Sequence, residues 1–98
     1  MTAADASAAL CELSECRTAI AEIDRGIIAF LANRVALARR TKTLKSAVGL
    51  PLLDPQREAE VIRGAVAAAR ELNLPEEPVR AIFWQVVGLS RRAQESGA

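Results

Sequence analysis

At 98 residues and a formal net charge of +1, the chain is long enough for one small domain. It is too nearly neutral for strong nonspecific attraction to nucleic acid or an acidic membrane. Hydrophobic residues make up 51% of it but aromatics only 3%, an alanine-rich balance that favours helices over strands. There is no histidine. A Ser-His-Asp triad, a histidine general base and a histidine-rich metal site are therefore excluded together. Cys11 and Cys16 lie five apart, a spacing that points them away from each other on a helix. They read as two buried or half-exposed thiols in a reducing cytosol. No signal peptide and no apolar run of membrane length is visible, so the expected compartment is the cytoplasm.

From Leu10 onward apolar residues recur at helical spacing, through Leu13, Ile20, Ile23, Ile27, Phe30, Leu31, Leu37 and Leu44. No proline interrupts Asp5 to Val48, and Gly49 followed by Pro51 is a stop signal. These features predict a helix of roughly 40 residues, about 60 Å long. That exceeds the width of a globule of this size, so the helix is expected to pack along a second copy of itself. Asp54-Pro55 predicts a second helix, with Asp as N-cap and Pro in the first helical position, ending near Asn73. The cluster from Pro75 to Pro78 opens a third, which carries Val79, Ile82, Phe83, Val86, Val87 and Leu89 and turns polar at Ser90. The expectation is a single all-α domain over 1–98, with an ordered core of about 8–95 and frayed ends at 1–8 and 95–98.

Arg17 occupies the seam that otherwise presents Leu13, Ile20 and Ile27. An arginine there is costly unless it meets an anion or lines a cavity. Arg34 and Lys45 are eleven residues apart, three helical turns to within about 20°, and so project from one stripe. Arg39, Arg40 and Lys42 fall on other faces and read as solvated. Arg17 and Arg34 are offset by about 100° around the helix and roughly 25 Å along it, too far for one small ligand to touch both in one chain. An antiparallel pairing across a two-fold axis brings them together. Asp54 and Glu58 share a face at i,i+4 with Arg57 beside them, and Ser90 and Gln94 share another. A helix cap with an exposed ion pair explains the first group, and a polar last turn explains the second. The whole set is harder to dismiss.

In order, the chain carries Arg17, Ile23-Asp24, Asn33-Arg34 and Lys45, then Leu50-Pro51-Leu52-Leu53-Asp54-Pro55-Gln56-Arg57-Glu58, Ile82-Phe83, Ser90 and Gln94. This series resembles the all-α class of chorismate mutases over nearly the whole chain, from about Leu10 to Gln94. The resemblance implies an intertwined homodimeric bundle of three-helix subunits that converts chorismate to prephenate, in phenylalanine and tyrosine biosynthesis, without metal or cofactor. It implies that Arg17 of the partner subunit and Arg34 bind the two substrate carboxylates. Lys45 and Gln94 would donate to the ether oxygen, Glu58 with Asp54 would hold the ring hydroxyl, Ser90 would assist at the ring carboxylate, and Arg57 would support the cluster. Isochorismate pyruvate-lyase and aminodeoxychorismate mutase resemble the same scaffold and are the nearest alternatives. A noncatalytic helical dimerisation or regulatory module is a further one, which leaves Arg17 on its apolar seam unexplained.

Overall fold

A computed structural model describes residues 2–96. The fold is all-α, and among the described residues there is no strand. Its elements are α1 (Ala3–Ala47), α2 (Pro55–Glu71) and α3 (Glu76–Glu95). No helix among the described residues is long and apolar enough to cross a membrane.

The chain divides into two compact units between Ala32 and Asn33, within α1. In the first unit the helix begins at Ala3, so residues 3–8, expected to be frayed, are helical. A reciprocal cap explains the early start. Thr2 Oγ1 accepts from the Asp5 amide at 3.1 Å, and Asp5 Oδ2 accepts from the Thr2 amide at 3.0 Å. Two first-turn donors that would otherwise lack partners are thereby satisfied. Leu10, Leu13, Ile20, Ile23, Ile27 and Phe30 are all exposed, Phe30 to 76%. Cys11 and Cys16 are also exposed, rather than buried or half-buried.

In the second unit α1 ends where glycine is required. Gly49 has φ +73°, a conformation that a Cβ disfavours, and it turns the chain so that the Leu50 amide donates to Lys45 O at 2.9 Å. The Gly49 amide donates to Ser46 O at 3.3 Å. The end of α2 repeats this geometry with Asn73, at φ 57°, as the left-handed residue, and the Leu74 amide reaches Ala69 O at 2.8 Å. At the other end of α2 the Asp54 carboxylate accepts from the Arg57 amide at 3.1 Å, with Pro55 in the first turn, as the sequence predicts.

Helices α2 and α3 pack against each other. The buried set is small: Ala38 from α1, Ile62, Ala65, Val66 and Ala69 from α2, and Val87 from α3. Full burial of a valine or isoleucine contributes about 1.5–3 kcal/mol. The alanines add less area but let helix backbones approach closely. Arg70 at the end of α2 grips Glu76 at the start of α3 through two bonds, at 2.9 and 3.2 Å. That clamp spans the turn between the two helices.

Candidate active site

The second unit holds an open cavity of about 330 Å³. That is the lower end of the range usual for small-molecule sites. Its apolar wall is Leu37, Ala38, Leu52, Val61 and Val87, and its polar lining includes Arg34, Lys45, Asp54, Arg57, Glu58, Ser90, Arg91 and Gln94. Seven residues singled out in the sequence thus line one cavity, contributed by all three helices and the loop before α2. The eighth, Arg17, belongs to the first unit and is exposed there. Four cationic side chains against two acidic ones leave the lining with a formal excess of two positive charges. Such a lining favours an anionic ligand.

Each polar group is held by a definite partner. Arg34, half-buried on α1, donates from Nη1 to Ser90 Oγ, and Ser90 is itself buried. One turn of α3 further on, Gln94 Nε2 donates to Ala38 O at 2.8 Å. Lys45 Nζ donates to Leu52 O at 3.2 Å, which ties the loop to the end of α1. Asp54 is engaged as the cap of α2, and Arg57 turns to Glu60 at 3.3 Å on an exposed face. Arg57 therefore lines the cavity without bonding to Glu58.

Lys42 was expected on a solvated face. It is instead half-buried, and its Nζ donates to the main-chain oxygen of Gln94 at 2.6 Å. The last carbonyls of a helix have no partner within it, and a cation is favoured there. Arg39 and Arg40 are exposed, as expected.

Arg91 was not singled out from the sequence. Its guanidinium clasps Glu58 with both arms, Nε to Oε2 at 3.2 Å and Nη2 to Oε1. The hydrogen bond to Glu58, and then its charge, push the Arg91 pKa above the ordinary arginine value. A signal was present. Glu58 has no cation three or four residues away on its own helix, while Arg91 follows Ser90 directly and precedes Gln94 by three.

No group of three or more potential metal ligands occurs among the described residues. The arrangement has no nucleophile poised beside a base. Its capacity is to bind and orient a small anion and to present hydrogen-bond donors from Lys45 and Gln94.

A family model described as chorismate mutase type II matches residues 16–95. The chain is 30% identical over 84 residues to a protein named chorismate mutase from Methanocaldococcus jannaschii, covering 86% of this chain and 85% of that one. It is 29% identical over 76 residues to the T-protein of Enterobacter agglomerans, covering 78% of this chain but 20% of that protein. Similarity to a bifunctional chorismate mutase/prephenate dehydratase of Aquifex aeolicus is 32% over 79 residues, covering 78% of this chain and 22% of the relative. The chain thus spans about a fifth of the length of the latter two. No solved structure gives a significant match.

Proposed function

This chain belongs to the chorismate mutase type II family, and we propose that it rearranges chorismate to prephenate as a homodimer, with each site completed by Arg17 of the partner subunit. The isomerase assignment is supported by the match over residues 16–95 and by the Methanocaldococcus relative, most of whose length aligns. The observation that carries the assignment of roles is the convergence of Arg34, Lys45, Glu58, Ser90 and Gln94 on one cavity with an excess of positive charge.

The reaction is an intramolecular pericyclic shift and needs no nucleophile, metal or cofactor. It needs the substrate folded so that the two reacting carbons meet. Arginine forks on two carboxylates suit that task, because they fix direction as well as distance. Arg34, already steered by Ser90, takes one carboxylate, and Ser90 assists at the ring carboxylate. Arg17 takes the other from the partner. As the carbon–oxygen bond breaks, negative charge grows on the ether oxygen, where Lys45 and Gln94 donate. Donors that meet charge present only in the transition state lower the barrier rather than merely tighten binding. Glu58, with Asp54 near it, accepts from the ring hydroxyl, and Arg57 lends positive charge at the rim.

Support for the dimer comes from the first unit, where seven large apolar side chains and Arg17 stand exposed along the same helix. Large apolar side chains exposed at this density along one helix suit a protein interface. We assign the reaction to the cytoplasm, where a reducing environment suits the exposed thiols of Cys11 and Cys16.

Purified protein supplied with chorismate, isochorismate or the 4-amino analogue should release prephenate from the first. No turnover of chorismate would defeat the reading. Arg17→Ala and Lys45→Ala should each be inactive, and mixing them should restore one working site per heterodimer. Failure to recover activity despite demonstrated subunit exchange would remove the shared site.

A further inference from the structure

We propose that Arg91 is a positioning residue that makes the Glu58 end of the cavity select a neutral hydroxyl over an ammonium group on the substrate ring. The inference rests on the function proposed above and deepens it. Two acidic side chains line the cavity, Asp54 and Glu58. Taken without their partners they would attract a ring amine, protonated at neutral pH, as readily as a ring hydroxyl. Their partners change that preference.

Asp54 gives one oxygen to the Arg57 amide at the start of α2. Glu58 is held by Arg91 in a two-armed pair that engages both of its oxygens, and its charge is compensated before any ligand arrives. Each oxygen keeps a lone pair, so the paired carboxylate still accepts from a hydroxyl. It no longer offers a net negative charge to an ammonium. An ammonium at that point would also face Arg91 itself, with Lys45 and Arg34 lining the same cavity. Exclusion of a rival ligand by a like charge is a common source of specificity.

Arg57 does not supply this effect, because its guanidinium is turned to Glu60 on the exposed side. Arg91 keeps 44% of its side chain exposed against 22% for Glu58. The arginine therefore approaches from the solvent side of the carboxylate, and its removal takes nothing from the buried set. Solvent also limits the size of the discrimination. A like-charge contact at a half-exposed site is worth about tenfold in relative affinity rather than the larger factors of buried pairs.

The test compares the wild type with Arg91→Met and Arg91→Lys. The readouts are kcat/KM on chorismate and on its 4-amino analogue, with calorimetric Kd values for two non-rearranging ring dicarboxylates that differ only in hydroxyl or ammonium. Arg91→Met should lower the preference for hydroxyl by about tenfold in both assays, while Arg91→Lys, which keeps the charge, stays near the wild-type ratio. An equal loss on both ligands, with the ratio unchanged, would show a merely structural role and overturn the proposal. Loss of the preference in Arg91→Lys to the same extent as in Arg91→Met would also overturn it. Arg91→Gln gives the same readout if the methionine variant does not fold, and failure of both to fold counts against the proposal. A wild type that turns over neither substrate defeats the functional reading alone, because the Kd ratio still reports the selectivity of the cavity.

Discussion

Replacing Gln94 with glutamate should convert a pH-insensitive donor into a pH-gated one. The amide Nε2 of Gln94 donates to Ala38 O at 2.8 Å, and its proposed role is to donate to the ether oxygen. A carboxylate cannot donate in either place, whereas a carboxylic acid can. An ordinary glutamate, with a pKa near 4.3, is protonated in roughly one molecule in 500 at pH 7 and about one in six at pH 5. If only the protonated form is active, kcat/KM of Gln94→Glu should rise about 80-fold between those pH values. Two neighbours modify the figure in opposite directions. The Ala38 carbonyl favours the protonated form, and the Lys42 ammonium, bound to the main-chain oxygen of the same residue, favours the carboxylate. Loss of one such donor costs about 10²–10³ in kcat in other enzymes, so the deficit at pH 7 should fall in that range. The assay is loss of chorismate absorbance across pH 4.5–8, with helicity monitored at each point. A wild type flat over this span and a variant just as flat would refute the assignment of Gln94 as donor.

Two further outcomes follow from the helix ends. Asp54→Ala removes the side-chain acceptor of the Arg57 amide and should destabilise the chain by about 0.5–2 kcal/mol, read as a lower Tm by circular dichroism. An unchanged Tm would mean that the cap contributes nothing. The Glu76 carboxyl is held below its ordinary value of 4.5, first by its hydrogen bond to Arg70 and then by that residue's charge. Its folded pKa is thus the lower one, so the contribution is present above about pH 4.5 and is lost as pH falls through the folded value. Glu76→Gln should therefore melt below the wild type at pH 7 and match it near the bottom of an acid titration. A gap in Tm that persists there would contradict the pairing.

The parts of the fold that follow from local chemistry were legible in the sequence. Asp54-Pro55 marks the start of α2 because a capping carboxylate and a proline in the first turn each act within three residues. Gly49 marks the end of α1 because the turn there needs positive φ. Arg34 and Lys45 could be assigned to one stripe by angle alone, and both line the cavity. The start of α1 is hard to place from periodicity, since the cap at Thr2 and Asp5 sits among small residues with no apolar period to announce it. Lys42 and Arg91 escaped for a different reason. Their partners are 52 and 33 residues away, and only the course of α3 beside the end of α1 and the start of α2 brings them within reach. Helical spacing orders residues on one helix and says nothing of which face of another it will meet.

Lys45 and Gln94 already donate to carbonyl oxygens of the chain, at Leu52 and Ala38. Each keeps donors free, two on the Lys45 ammonium and one on the Gln94 amide, and the backbone contacts fix where these point. A neutral ether oxygen is a weak acceptor and gains little from them. An ether oxygen that has taken on negative charge gains more, because hydrogen bonds to ionised acceptors are roughly twice as strong as neutral ones. Two ordinary backbone contacts thus hold the donors in place before the charge arrives. Discrimination between substrate and transition state then draws on acceptors within the protein, which aim the donors, as well as on the donors themselves.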